Sequence, residues 1–317
     1  MTEKIVIAGA SGFIGSYLTA AYRAGGSEVV HIGRAGDAVW GDSAAIAALV
    51  DGSALLINLA GKSVNCRYTP ANRAEIMRSR IETTRELGRA VAASTTPPRL
   101  WLNSSTATIY RHADDRPMTE SSGEIGSGFS VGVATAWERE FFGAVTPDTR
   151  KVALRMAIVL GDGSALIPLL RLARFGLGGA QLDGPWFSTQ DRRESGVFHE
   201  YRATHGHQKF SWIHIADVLG AITFLRDHEE IDGPVNLSSP EPRDNTSLMA
   251  TIRRRLGIPF GIPAPRPLLE LGTAIIRSET ELVLKSRWVL PETLEASGYQ
   301  FRYPQLESAI DQILESR

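Results

Sequence analysis

The chain has 317 residues, with 34 Lys and Arg against 35 Asp and Glu, for a net charge of -1. That length buries a substantial core in one large domain or two smaller ones, and near-neutrality argues against whole-chain attraction to nucleic acid or to an anionic membrane, leaving small molecules as the partners. A single cysteine, Cys66, excludes an internal disulfide framework and a multi-cysteine metal site, and no apolar run is long enough to span a bilayer; with a strand beginning at Lys4 in place of a signal peptide, the expectation is a cytoplasmic protein.

The apolar run Ile5 to Ala8 leads directly into Gly9-Ala-Ser11-Gly12-Phe13-Ile14-Gly15, and a helix-compatible stretch follows from Ser16 to Ala24. This is a strand, a glycine turn and a helix. A side chain at Gly9 obstructs such a turn, one at Gly12 holds the backbone away from a pyrophosphate, and one at Gly15 keeps the helix off the strand. The unpaired N–H groups of the helix start then face the phosphates, so the stretch reads as a nucleotide cradle.

Gly25-Gly26 ends the helix, and Glu28 to Ile32 reads as a second strand, closing in Gly33-Arg34. In a dinucleotide-binding unit this strand end meets the adenosine ribose, where a carboxylate accepts from a free 2′-hydroxyl and an arginine pairs with a 2′-phosphate. Arg34 stands there, 25 residues after Gly9, and favours NADP(H) over NAD(H); Asp37 further along the loop is the competing feature. Ala38 to Trp40 reads as a short third strand and Ala44 to Val50 as a helix. Ala54 to Leu59 is a fourth strand, running into Asn58-Leu59-Ala60-Gly61-Lys62, where a glycine lets the chain pass close beneath a cofactor. The pattern over Pro70 to Ala93 predicts a long amphipathic helix covering the sheet.

Leu100 to Asn103 is a fifth strand, followed by Ser104-Ser-Thr106-Ala-Thr-Ile-Tyr110. Two readings stand for these hydroxyls: hydrogen bonding to a reacting carbonyl at the carboxyl end of a central strand, or local capping of a turn. A helix within Gly126 to Gly143 carries Trp137 and Glu138, and Val152 to Leu160 is a sixth strand. The alternation to this point implies a doubly wound parallel sheet, an α/β fold.

Beyond residue 160, Leu166 to Phe175 is helical, and Pro185 to Gln208 is polar and without periodicity. His199, His205 and His207 lie in it, and an exposed loop is a better reading than a metal site. Phe210 to Arg226 reads as one amphipathic stretch in which His214 and Asp217 cap a helix rather than form an acid–base pair. Val235 to Leu237 is a strand, Leu248 to Leu256 and Leu268 to Leu284 are helical, and a last helix carries Leu306, Ile310 and Ile313.

Gly9-x-x-Gly12-x-x-Gly15, Asn58-Leu-Ala-Gly61, Ser104 to Tyr110 and Trp212-Ile-His-Ile-Ala-Asp217 together resemble the extended short-chain dehydrogenase/reductase superfamily. More narrowly, Ile57 to Ser63, Ser79-Arg80 with Thr84, Gly176-Leu-Gly-Gly179 and the tail from Arg287-Trp-x-x-Pro291 to Tyr303-Pro304 resemble its atypical epimerase-family subgroup, whose C-terminal domain has no known function. The resemblance implies a Rossmann-type NADP(H) domain over 1–160 plus 210–237 and a smaller, discontinuous C-terminal substrate domain over 161–209 plus 238–317. It also implies an inserted hairpin or loop near the pocket mouth over about 184–204. The cofactor residues it points to are Gly9, Ser11, Gly12, Phe13, Ile14, Gly15, Arg34, Leu59, Ala60, Gly61, Lys62 and Thr106.

Superfamily enzymes use a Tyr-x-x-x-Lys pair on the helix that here carries Trp137-Glu138, in which the lysine depresses the tyrosine pKa. Alignment on Glu138 puts Ser130 and Ala134 at those places. Thr106 matches the substrate-orienting Ser/Thr, and the candidates to deliver a proton are Tyr110, Lys62, His112 and water held by Thr106 and Ser130. Three functions follow from the resemblance: an NADP(H)-dependent oxidoreductase, a non-catalytic NADP(H) sensor, or a nucleotide-sugar epimerase or dehydratase, the last disfavoured because oxidising a sugar hydroxyl needs a competent base.

Overall fold

Four short apolar runs, each buried along its whole length or nearly so, build the centre of the molecule. The computed structural model describes residues 2–198, 203–275 and 279–317. In chain order it forms β1 Lys4–Ala8, α1 Phe13–Ala24, β2 Glu28–Gly33, β3 Ala38–Val39, α2 Ser43–Val50, β4 Leu55–Asn58, α3 Pro70–Ala93, β5 Leu100–Thr106, α4 Phe129–Gly143, β6 Arg150–Met156, β7 Ile158–Leu160 and α5 Leu166–Arg174. There follow α6 Gln190–Glu194, β8 Lys209–Phe210, β9 Trp212–His214, α7 Ile215–Asp227, β10 Gly233–Leu237, β11 Arg243–Asp244, α8 Asn245–Leu256, α9 Arg266–Ile275, α10 Glu281–Leu284, α11 Glu292–Ala296 and α12 Leu306–Glu315.

Seven strands form one sheet in the order β10-β6-β5-β4-β1-β2-β3, and every pairing in it is parallel. This is the doubly wound Rossmann-type sheet, and its order reverses between β1 and β4, where ligands of such sheets bind beyond the carboxyl ends of the strands. One face is closed by Leu18, Val218, Ile222 and Leu225 from α1 and α7, packed with Ile5, Ile57, Leu102 and Leu154. The other is closed by Ile46, Leu87, Val91 and Phe141 from α2, α3 and α4. Trp101 and Phe141 meet edge to face at 4.8 Å in that layer, a geometry suited to aromatic quadrupoles. A third core joins α5, α8 and α12 through Leu166, Leu170, Ile252, Leu306 and Ile310.

Local chemistry sets the long helix as its sequence predicts. Thr69 Oγ1 accepts from the Asn72 N–H at 3.2 Å and Pro70 occupies the first turn, where its missing N–H leaves nothing unpaired.

Elsewhere the structure corrects the expectations. The run Val152 to Leu160 is two strands. β6 ends at Met156, the Ala157 N–H bonds the Leu237 carbonyl at 2.9 Å, and β7 then pairs with β9 in a separate ladder. The amphipathic stretch Phe210 to Arg226 resolves into the end of β8, then β9 and α7, with His214 capping the helix start as expected. β5 extends to Thr106, three residues past its expected end. The polar stretch after Gly184 contains the short helix α6, capped by Thr189, and no strand of a hairpin among its described residues. Leu268 to Leu284 contains α9 and α10; residues 276–278 between them lie outside the described residues.

Candidate active site

The glycine turn has the shape its sequence implies, though its three glycines are constrained in different ways. Gly9 has φ +81°, and a Cβ there would lie 2.8 Å from the Leu59 carbonyl carbon and oxygen; one on Gly15 would lie 2.6 Å from the Gly9 carbonyl oxygen. Both are demands of the fold itself. At Gly12 the nearest atom to an added Cβ is 3.5 Å away, so the protein does not require glycine there, and what the missing side chain leaves is space outside the turn. Gly12 is also the N-cap of α1, with no side chain capping the first-turn N–H groups and no acid in that turn. Ser16 Oγ instead donates back to the Gly12 carbonyl at 2.8 Å. The positive end of the α1 dipole therefore opens onto a cradle that fits a pyrophosphate. Phe13 directs its ring away to the start of the next segment, within 2.7 Å of where a Cβ on Gly161 would sit.

The wall opposite is Leu59 to Lys62, held from beneath by Asn58. Its amide donates to Asn103 Oδ1 at 2.6 Å and Thr84 Oγ1 at 3.1 Å, and its carbonyl oxygen accepts from the Ala60 N–H at 3.0 Å. Trp137 Nε1 donates to the same Thr84 oxygen at 2.9 Å. This buried network is fully paired, and it fixes the loop that passes beside Gly9. Arg80 of α3 lies against Gly61, where an added Cβ would be 3.1 Å from its guanidinium carbon. It donates to the Lys62 and Ile76 carbonyls at 3.1 and 3.0 Å and stacks over Trp137 at 4.9 Å. Burial lowers its pKa to about 10, and among the described residues its hydrogen bonds go to carbonyls rather than to a carboxylate, so it is a cation suited to an anionic ligand. The sequence singled out Arg80 only as part of a family resemblance.

At the end of β2, Arg34 is exposed. Asp37 is exposed as well, but its Oδ2 accepts from the His31 N–H at 2.7 Å. One oxygen of the competing carboxylate is thus committed to the backbone beside the exposed arginine.

Thr106 closes β5 at the carboxyl edge of the sheet, half-buried, and its hydroxyl caps the following turn by accepting from the Thr108 N–H at 3.1 Å. The hydroxyl thus caps as an acceptor, a bond that does not use its proton, so both readings of this hydroxyl stand for Thr106. Behind it, Arg155 forms a two-pronged ion pair with Glu138, at 2.8 and 2.7 Å, and Ser105 Oγ donates to the same carboxylate at 2.6 Å. Tyr110, a candidate proton donor, is 1% exposed. Its hydroxyl donates to Asn236 Oδ1 and accepts from Arg155 Nη1, both at 2.9 Å, and burial raises its pKa. It is an interior strut, and its assignment as a catalytic residue is withdrawn. Ala134 is 1% exposed and packs with Ala107, Ile109, Tyr110 and Val289, so the place of a catalytic lysine is filled by apolar contact. His112 is half-buried, with Nδ1 accepting from the Ser286 N–H at 3.1 Å.

Ser130, at the place of the catalytic tyrosine, donates to Glu281 Oε2 at 2.8 Å across 151 residues of sequence. Around it the tail brings a set of charges that sequence reasoning missed. Glu279 Oε1 accepts from the Tyr68 N–H at 2.8 Å, and its Oε2 accepts from Arg192 of α6 at 2.8 Å. Lys285 Nζ donates to the Thr108 carbonyl at 2.7 Å, and Arg287 Nε donates to Thr108 Oγ1 at 3.1 Å. Burial raises Tyr68 to about 12, with the Ser130 hydroxyl opposing it, and lowers Lys285 to about 8. The segment after Gly184 reaches this place as well: the Gly196 carbonyl accepts from the Phe129 N–H at 2.9 Å, and Val197 packs with Tyr68 and Val133.

The remaining candidates are structural. His214 caps α7, its Nδ1 accepting from the Ala216 N–H at 3.2 Å and its Nε2 meeting Gln312 at 2.9 Å. Asp217 accepts from the Arg302 and Tyr303 N–H groups at 2.6 and 2.9 Å. His207 pairs with Asp244, His199 lies outside the described residues, and among the described residues no group of His, Cys, Asp or Glu is placed to hold a metal. A wide surface depression is lined by Glu3, Ala54, Leu100, Arg150 and Gly233. These residues lie at the amino ends of the strands, so it is the wrong end of the sheet for this chemistry.

The chain is similar to known proteins along nearly its whole length. Residues 5–128 match the NAD dependent epimerase/dehydratase family, and residues 264–313 match a domain of unknown function, DUF1731. The human epimerase family protein SDR39U1 is 29% identical over 98% of this chain and 99% of its own length. The epimerase family protein YfhF of Bacillus subtilis is 28% identical over 99% of both. The crystal structure of the human protein (isoform 2) with NADPH superposes with a TM-score of 0.82 at 28% identity, covering 99% of this chain and all of that one.

Proposed function

We propose, from the match of residues 5–128 to the NAD dependent epimerase/dehydratase family and of residues 264–313 to DUF1731, that this chain is an NADP(H)-dependent oxidoreductase acting on a small carbonyl compound. The observation that carries the reading is the pairing of an open glycine cradle with an exposed Arg34 whose neighbouring carboxylate, Asp37, is tied to the backbone. A similar protein crystallised with NADPH supports it.

In this reading the N–H groups from Phe13 to Gly15 bind the pyrophosphate, Arg80 adds a buried positive charge beside Gly61, and Arg34 takes the 2′-phosphate. The bound dinucleotide supplies or accepts the hydride. Thr106 at the end of β5 and Ser130 in the first turn of α4 orient the substrate oxygen. The Ser105, Glu138 and Arg155 bonds hold those two elements at fixed spacing, so the positioning is built before substrate arrives. A serine alone is a poor acid near neutrality, which disfavours nucleotide-sugar epimerisation. The apolar packing around Ala134 favours, as a second reading, a non-catalytic NADP(H) sensor.

The test is single-turnover oxidation of bound NADPH against panels of ketones, aldehydes, enones and nucleotide sugars. Reduction of a carbonyl or enone is the expected result. If none of them oxidises the cofactor, while NADPH binding changes the association of the chain with another protein, the oxidoreductase reading falls and the sensor stands.

A further inference from the structure

The site described above has an orienting hydroxyl but no acid of suitable strength, because Ser130 and Ala134 replace the tyrosine and lysine. The tail supplies ionisable groups at that very point. Ser130 Oγ donates to Glu281 Oε2 at 2.8 Å, and Glu281 Oε1 lies 4.0 Å from Lys285 Nζ, with both side chains nearly inaccessible, at 2% and 4%. Lys285 Nζ is anchored at 2.7 Å to the carbonyl of Thr108, in the turn that directly follows Thr106. Ser130, Glu281 and Lys285 thus form a chain running from the substrate edge into the tail lobe.

We propose that Glu281 and Lys285 deliver through Ser130 the proton that a Tyr-x-x-x-Lys pair delivers in related enzymes, so that the tail domain completes the active site. The proposal rests on the oxidoreductase reading above. In the reductive direction the carbonyl carbon gains a hydride from NADPH, which leaves as NADP⁺, and the carbonyl oxygen takes the proton of Ser130 Oγ. Lys285 supplies the replacement: its ammonium protonates Glu281 Oε1, the neutral carboxyl turns to bring that O–H to Ser130, and Glu281 returns to carboxylate as Ser130 Oγ takes the proton. The ammonium becomes an amine and is recharged from solvent. Closing the Lys285 to Glu281 gap to hydrogen-bond distance needs a side-chain movement of about 1 Å. Ser130 is the group that touches substrate; Glu281 and Lys285 act through it.

The surroundings set the direction of the titration. Burial disfavours the Lys285 ammonium, Glu281 on its own helix favours it, and Arg287 opposes it. From the other packed elements, His112 meets the Ser286 N–H, Tyr68 faces Ser130, and Glu279 is occupied by Arg192. The balance brings Lys285 to about 8, close to the range where an acid is effective at physiological pH. Because the ammonium is the proton source, supply is complete below that value and fails as pH rises through it.

Two measurements test this. The first needs no cofactor: in ¹³C-lysine-labelled protein, the Lys285 resonance, identified by its loss in Lys285→Arg, titrates near 8 and moves lower in Glu281→Gln, where the favouring carboxylate is gone. An ordinary lysine midpoint, unmoved by Glu281→Gln, overturns the proposal. The second is the pH profile of single-turnover NADPH oxidation with the carbonyl that wild type reduces fastest. The wild-type rate falls above pH 8, whereas Lys285→Arg, which keeps the charge but does not release a proton, loses about 10²-fold and its profile flattens. NADPH affinity retained in Lys285→Arg establishes that the fold is intact. An active wild type with an unmoved profile in Lys285→Arg refutes the relay alone. A wild type that reduces no carbonyl refutes the oxidoreductase reading, and the relay with it.

Discussion

Tyr110→Phe separates a catalytic tyrosine from a structural one at a position where the two readings were open in the sequence. The substitution removes one oxygen and nothing else. That oxygen donates to Asn236 Oδ1 and accepts from Arg155 Nη1, each at 2.9 Å, within a side chain 1% exposed. One of these bonds is charge-assisted, and their loss strands a buried amide oxygen and one guanidinium N–H, while Arg155 keeps both bonds to Glu138. The cost is about 1–3 kcal/mol of stability, a fall of a few degrees in Tm for a chain of this size. Since the hydroxyl meets only Asn236 and Arg155, the single-turnover rate of NADPH oxidation remains within about twofold. Thermal unfolding and stopped-flow kinetics on the same preparation read both quantities. A rate lowered by about 10² or more with stability unchanged would refute the reasoning and restore Tyr110 as the acid.

Two further predictions follow from the same contacts. Gly9→Ala forces a Cβ to 2.8 Å from the Leu59 carbonyl at φ +81°, so it lowers stability by about 1–3 kcal/mol and weakens NADPH binding by shifting the cradle, as calorimetry of both variants would register. His214 is buried and its pKa is lowered from 6.5 to about 4; the unfolded chain takes up a proton there before the folded one does, so stability is full above pH 6.5 and declines as pH falls towards 4. His214→Asn keeps a helix-capping side chain, and urea unfolding across that window is expected to show a shallower decline.

Much of this molecule is legible in its sequence because the information is local. The strand, turn and helix from Lys4 to Ala24 and the bounds of α3 follow from apolar runs, glycines and the Thr69-Pro70 cap. What was not legible depends on partners distant in the chain. Val152 to Leu160 is one apolar run in sequence, yet at Ala157 the backbone leaves β10 for β9, a change of neighbour that no periodicity records. β8 and β9 are too short to stand out from the helix that follows them. The site divides in the same way. The glycine cradle and Arg34 are picked out by their spacing, whereas the Ser130 to Glu281 contact spans 151 residues and leaves no local pattern. Tyr110 shows the converse: a tyrosine beside a hydroxyl cluster suggests chemistry, and only Arg155 and Asn236, brought together by β6 and β10, show that its oxygen is already committed.

The central claim is that this chain selects NADP(H) through Arg34, and the comparison of NADPH and NADH affinities in wild type and Arg34→Ala tests it most directly. A charge-assisted arginine–phosphate contact is worth about 1.5–3 kcal/mol. Wild type is therefore predicted to bind NADPH at least about tenfold more tightly than NADH, and Arg34→Ala to lose most of that preference with little change for NADH. Equal affinities of the wild type for the two cofactors would contradict the account.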